Sequence, residues 1–220
     1  MPHLITHLRR SLISIVVMTV LFGFLYAFAG TGLAQSLFSH QANGSITANG
    51  STLVGQNWSQ APCPGHLAGT CVFQGRPDNV GPYAPNPKAS PTGSGGNNPL
   101  GANNIPGEPH VANAGESGAT NLGPRSHLLL TNTQQLIAYW HQRGVNPTPD
   151  LVTTSASGVD PDISPDDAYA QIPMVSKATG ISPARLRSLI GSQTHGAQLG
   201  FLGSPYIVVL QLNEALARLK

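Results

Sequence analysis

From Ser11 to Gly30 the chain runs for 20 residues without a charge, and the run is rich in Leu, Ile, Val and Phe. About 20 apolar residues in a helix cover the roughly 30 Å hydrocarbon core of a bilayer. Arg9 and Arg10 precede the run, with His3 and His7 further out, and no Lys, Arg, Asp or Glu follows it before Arg76. The bias of Lys and Arg toward the cytoplasmic side makes residues 1–10 a cytoplasmic N-terminus and 11–31 a transmembrane helix. Residues 32–220 then lie across the membrane. A cleaved signal peptide is the competing reading; its apolar region spans about 7 to 15 residues and ends at a small-x-small site. Ala27-Phe28-Ala29 and Gly30-Thr31-Gly32 both supply such a site, but the run stays bulky to Phe28, which favours a retained anchor.

The remainder is short of charge and rich in turn formers. Only 9% of the 220 residues are charged, against roughly 25% in soluble domains. The 25 glycines and 19 prolines assign much of the chain to loops. One domain plus extras fits this length. A net charge of +2, with Lys and Arg scattered singly or in pairs, excludes a nucleic-acid binder. Cys63 and Cys71, with seven residues between them in a Pro/Gly-rich loop, form a candidate local disulfide in an oxidising compartment. A metal site with His66 is the alternative, and it lacks a fourth ligand at usable spacing.

Local signals order the elements. Asn49-Gly50, between Ser45–Ala48 and Ser51–Gln56, predicts a hairpin with both residues at the centre of a type I′ turn. Asn43, Asn49 and Asn57 each head an Asn-x-Ser sequon, which matters only in a eukaryotic secretory protein. Residues 59–116 lack apolar periodicity, and 78–116 read as a loop insertion, most irregular from Gly81 to Gly107. Leu129, Leu136, Ile137 and Trp140 make one helical stripe, stopped after Arg143 by Gly144 and Pro147. Leu151 to Thr154 predicts a short strand. Ser164-Pro165-Asp166-Asp167 is a helix start, and a further helical segment runs from near Pro173 to Gly180. Ser182-Pro183 opens a helix carrying Leu186, Leu189 and Ile190. Tyr206–Leu210 predicts a buried strand, and Asn213–Leu219 a terminal helix. The fold class expected is α/β (α+β): one N-terminal transmembrane helix, then a small domain with a short sheet and several short helices.

The segment from Thr153 to Pro165 concentrates short polar groups. Asp160, Asp162, Asp166 and Asp167 form an acidic cluster, yet a Ca²⁺ loop would need a bidentate acid at its twelfth position, where Gln171 stands. Pro161 and Pro165 stiffen the second and sixth places, and helix capping accounts for Asp166 and Asp167. Ser155 and Ser157 lack the Gly-x-Ser-x-Gly elbow. The eight His are dispersed, with no His-Glu-x-x-His, P-loop or dinucleotide fingerprint. The helix–glycine–helix stretch from Asp166 to Ser192 carries too few bases for a DNA-reading pair and reads as two packed helices. No catalytic and no metal-ligating residue is assigned.

Several strings nevertheless run in a recognisable order: His40-Gln41-Ala42-Asn43-Gly44-Ser45, Gly55-Gln56-Asn57, Gly75-Arg76-Pro77 and Ser117-Gly118-Ala119-Thr120-Asn121-Leu122-Gly123-Pro124. Thr153 to Pro165, Gln198-Leu199-Gly200-Phe201-Leu202-Gly203 and Leu210-Gln211-Leu212-Asn213 follow. With the N-terminal anchor, the ordered set resembles the C subunit (KdpC) of the bacterial Kdp potassium-transporting P-type ATPases. That resemblance makes Gln41, Asn43, Gly44, Gln56, Asn57, Gly75, Arg76, Pro77, Asn121, Gly123 and Pro124 structural or partner-contact positions. Ser155, Ser157, Gly158, Asp160, Pro161, Ser164, Pro165, Gly200, Gly203 and Asn213 join them.

The resemblance implies a single-span inner-membrane protein with a periplasmic C-terminal domain and no enzymatic activity of its own. Its implied partners are a potassium-translocating channel-like subunit, an ATP-hydrolysing P-type subunit and a small membrane peptide. The implied role is to support assembly and, as a catalytic chaperone, to raise the ATP affinity of the hydrolysing subunit. ATP is thus a ligand of the complex, with no cofactor for this chain. The chain departs from the family pattern at Thr194-His195-Gly196-Ala197, where Thr-Glu-Gly-Arg is usual, and at Val208, where Asn is usual. The stretch before Ser117 is long, and the Cys63–Cys71 loop looks like an addition. The alternative is a membrane-anchored periplasmic binding or adhesion module unrelated to transport.

Overall fold

A computed structural model of the chain describes residues 2–47, 49–56, 58–59, 61–77 and 121–219. They fall into two units that divide between Ser45 and Ile46.

The first unit is helical. α1 (Pro2–Met18), a π-helical stretch (Thr19–Leu25) and α2 (Tyr26–Leu37) follow one another without a break, and α3 (Ser39–Ala42) adds one turn. Leu4–Leu37, 34 residues with a mean hydropathy of 2.4 in its most apolar window, buries none of that window. The helix extends past both ends of the span 11–31. Gln35 and Asn43 exchange amide hydrogen bonds (3.2 and 3.1 Å), and Asn43 Nδ2 also donates to the Ser39 carbonyl at 2.6 Å. Gly44 (φ 82°) and Ser45 (φ 48°) then turn the chain, with the Ser45 N–H donating to the His40 carbonyl. The Gln41 to Gly44 string is therefore a helix-ending device.

The second unit is a helical layer around two separate antiparallel strand pairs. β1 (Ile46–Thr47) pairs with β2 (Gly50–Ser51), and β3 (Asp162–Ile163) with β4 (Ile207–Val208). Around them lie α4 (His127–Gln142), α5 (Pro165–Thr179), α6 (Pro183–Gln193) and α7 (Val209–Ala217). Leu136 and Trp140 of α4, Ile172 and Val175 of α5, Leu186 and Ile190 of α6, and Leu212 and Leu216 of α7 meet around Phe73, Leu151, Ile163 and Ile207. The expected mixture of helices and small sheet is present, with the sheet reduced to two-residue pairs.

Four sequence expectations change. The hairpin forms, but Thr47 faces Gly50, so Gly50 lies in the strand rather than at the turn centre. Its glycine is needed for another reason: a Cβ there would sit 1.9 Å from the Gln56 side chain, which folds across to donate to the Ser51 carbonyl. Leu151 to Thr154, expected to form a short strand, instead opens with a 3₁₀ turn over Asp150–Val152. The Pro149 carbonyl accepts from both the Val152 N–H and the Thr153 hydroxyl, and the Trp140 indole N–H donates to the Leu151 carbonyl. α5 does not begin near Pro173 but runs through it. The capping box at Ser164 and left-handed Gly180 fix both ends, and buried Ile172, Met174 and Val175 hold the middle against the lost N–H. β4 stops at Val208 and α7 starts at Val209: Val208 faces Asp162, the first residue of β3, and Pro161 before it has no N–H to carry the ladder further.

Candidate functional site

Thr153 to Pro165 connects the 3₁₀ turn to α5, and its small side chains are spent on its own backbone. Ser155 Oγ accepts from the Gly158 N–H at 3.0 Å and lies 3.1 Å from Ser157 Oγ. Ser157 Oγ accepts from the Val159 N–H (3.2 Å), and Asp160 Oδ1 from the Asp162 N–H (3.1 Å). Hydroxyls and carboxylates that cap amides two or three residues ahead fix a turn. Gly158, at φ 69°, supplies the left-handed residue that lets it close. At the exit, Ser164 Oγ accepts from the Asp167 N–H, and Asp167 Oδ2 accepts from the Ser164 N–H at 2.9 Å. The Thr148 hydroxyl donates to the other oxygen of this buried carboxylate.

Two other motif strings converge here. The Gly55 N–H donates to the Val159 carbonyl at 2.7 Å, and Pro161 accepts from the Val209 N–H at 3.0 Å. Arg76 reaches in from Gly75-Arg76-Pro77: Nη2 donates to the Thr153 and Thr154 carbonyls (3.5 and 3.3 Å). Its guanidinium also pairs with Asp150 at 3.7 Å and Asp160 at 3.6 Å. These half-buried pairs locate the arginine more than they stabilise the fold. Asp160 is thus a bracket between its own turn and Arg76.

Asp162 differs from its neighbour. Its Oδ1 is buried without a hydrogen-bond partner. Burial, then the nearby negative Asp160, push its carboxyl up from 3.8 to about 6, with His195 opposing. The folded protein holds this proton more tightly than the unfolded chain, so the group's contribution is full below about pH 4 and lost as pH rises through 6. Asp162→Asn should flatten the pH dependence of unfolding between about pH 4 and 8, with the change concentrated between the two pKa values. At pH 8 it should raise stability by roughly 1 kcal/mol, a figure discounted for the group's partial exposure. Thermal unfolding at both pH values checks this; an unchanged slope would mean that Asp162 titrates normally.

A buried amide clamp lies deeper. The Phe73 N–H donates to Asn213 Oδ1 and the Phe73 carbonyl accepts from Asn213 Nδ2, both at 2.8 Å. One residue on, the Gln74 N–H donates to Gln171 Oε1 (2.8 Å) and its carbonyl accepts from Gln171 Nε2 (3.0 Å). Two side-chain amides therefore satisfy this segment as a neighbouring strand would. The Gln74 side chain accepts from the Tyr139 hydroxyl at 2.8 Å and donates to the Gly69 carbonyl. Burial raises the Tyr139 pKa, which keeps the phenol protonated as a donor. Asn213 belonged to a motif string, but Gln74, Gln171 and Tyr139 were not singled out as structural partners. The available signal was Asp167 and Gln171 at i, i+4 within the apolar stripe of Ala168, Ile172 and Val175.

The other motif residues serve separate local roles. Asn121 (φ 55°), Gly123 and Pro124 lead into α4, whose N-cap Ser126 donates its N–H to the Gly123 carbonyl. Gly200 and Gly203, both at φ 82°, shape the hairpin arm between α6 and β4. Asn57, residues 78–116 and Ser117 to Thr120 lie outside the described residues. Cys63 and Cys71 are bonded to each other, Cα atoms 5.7 Å apart. Their loop contributes His66, Leu67 and Thr70 to a cleft of about 370 Å³ shared with His141, Arg143, Met174 and Lys177. The last turns of α4 and α5 present their negative ends there, and Arg143 is occupied, 3.6 Å over the Tyr139 ring and bonded to its carbonyl.

A family model described as KdpC, "K+-transporting ATPase, c chain", matches residues 8–218. The chain is 38% identical to the potassium-transporting ATPase KdpC subunit of Methylobacterium nodulans, across 98% of both chains. It is 36% identical to the KdpC subunit of Rhodopseudomonas palustris across 97% of each. Against that of Acidobacterium capsulatum the identity is 35%, over 94% of this chain and 95% of the relative.

Proposed function

This chain belongs to the KdpC family, the c chain of K⁺-transporting ATPases, and on that premise we propose that it is the membrane-anchored, non-catalytic subunit of a K⁺-importing complex. The observation that carries the proposal is an apolar 34-residue helix, uncovered in its most apolar stretch, in a chain that matches KdpC subunits along almost all of its length. A helix of this kind needs lipid or other transmembrane segments around it. Arg9 and Arg10 hold the N-terminus in the cytoplasm, and the domain from Ile46 onward works in the periplasm. Its partners are the channel-like K⁺-translocating subunit, the ATP-hydrolysing subunit and a small membrane peptide. The domain's polar groups hold loops and caps, which suits a rigid assembly part.

The finer role is to raise the ATP affinity of the hydrolysing subunit. ATP is cytoplasmic and the domain faces outward, so the effect travels through the membrane segments as a shift in the partner's conformational equilibrium. In the purified complex, the KM for ATP of K⁺-stimulated hydrolysis should be lower with this chain present than without it. An equal KM would remove the chaperone role and leave assembly alone.

A further inference from the structure

The hairpin arm between α6 and β4 ends in an apolar tip that the domain leaves bare. At its base, His195 and Tyr206 exchange backbone hydrogen bonds (2.9 and 3.0 Å) and stack their rings at 5.0 Å. Near the tip, Gln198 and Leu202 exchange a second pair, at 2.8 and 2.9 Å. Between them the Phe201 N–H donates to the Gln198 carbonyl, and Leu199 (φ 53°) and Gly200 (φ 82°) are both left-handed. Two consecutive positive φ values are the type I′ pattern, whose usual occupants are Asn, Asp and Gly. Gly200 suits it, whereas Leu199 is a bulky side chain in a region that L residues avoid. The exposed groups are apolar: Leu199 is 83% exposed, Phe201 74% and Leu202 49%.

A strained turn and bare apolar side chains both work against folding of the isolated domain, and their coincidence points to a use outside it. Resting on the reading of the chain as a transport subunit, we propose that Leu199-Gly200-Phe201-Leu202 docks into an uncharged, apolar groove on a neighbouring protein subunit of the complex. No Asp, Glu, Lys or Arg occurs from Ser188 to Asn213, so the surface met by the arm gains nothing from charge. The same absence argues against a bilayer surface, where loops and helices that bind anionic headgroups set cations beside their apolar residues. A fluid bilayer also gains nothing from a fixed turn, whereas a shaped pocket benefits from a tip already held in its bound form.

The test uses the full-length tagged chain co-expressed with its partner subunits. Leu199→Asn places a residue suited to the turn, so the chain's melting temperature should hold or rise while recovery of the complex falls about tenfold or more. Phe201→Ser should do the same, and Leu130→Asn, at an exposed apolar position on α4, should leave recovery unchanged. A photo-crosslinking residue at position 201 should label a partner subunit in the assembled complex. Wild-type recovery with both tip variants, or label on lipid alone, overturns the docking role while the subunit reading stands. If the wild-type chain recovers no partner, both readings fall.

Discussion

Asn213→Leu should lower the free energy of unfolding by about 3 kcal/mol, even though it replaces a buried polar residue with an apolar one. Asn213 is 7% exposed, and its amide is the partner of both the N–H and the carbonyl of Phe73. Leucine fills a similar volume but leaves two buried backbone groups unpaired, each costing about 1–3 kcal/mol in lost solvation. The loss should show twice: as a lower denaturation midpoint, and as faster amide exchange confined at first to the segment from Cys71 to Arg76. Glu214→Gln, next in sequence but on an exposed bond to Asn49, should change stability by less than about 0.5 kcal/mol. Equal effects at the two positions would mean that α7 merely resists substitution and that the clamp contributes nothing.

Gly55→Ala should cost about 2 kcal/mol and detach the Gly55 segment from the Thr153–Pro165 turn. A Cβ at position 55 would lie 2.4 Å from the Asp160 carbonyl oxygen and 2.9 Å from its carbon. These are backbone atoms that cannot rotate away, so the chains must separate and the 2.7 Å bond from the Gly55 N–H to Val159 is lost. Gly191 in α6 supplies the contrast, with nothing within 4 Å of its would-be Cβ and no positive φ. Gly191→Ala should instead stabilise α6 by about 0.5–1 kcal/mol through helix propensity. Denaturant unfolding of the two single variants should therefore move in opposite directions; movement in the same direction would remove the packing explanation.

These variants mark what the sequence could and could not say. Ser164 and Ser182, each followed by proline, cap α5 and α6 as read, because capping is decided within four residues. Leu136 and Trp140 fall on the buried face of α4 for the same local reason. Pro173 misled because its cost is local while the burial that overrides it comes from the whole helix. Tyr206–Leu210 reads as one strand because apolar runs of that length suit a strand or a buried helix alike, and only the point where β3 begins, at Asp162 after Pro161, decides between them. The convergence of Gly55, Arg76 and the Thr153–Pro165 turn was not legible at all. Nothing in a single chain states that Arg76 will meet carbonyls 77 and 78 positions away. The order of the motif strings identified the family, whereas their chemistry became readable only as bracing: caps, turns and amide clamps.

The central claim is that this chain is a membrane-anchored subunit of a K⁺-transporting ATPase. Affinity purification of the full-length tagged chain from detergent-solubilised membranes, followed by size-exclusion chromatography, tests it most directly. The account predicts one peak in which the chain, the ATP-hydrolysing subunit and the K⁺-translocating subunit elute together in fixed ratio. Elution of the chain alone, while the other subunits assemble and hydrolyse ATP without it, would contradict that claim.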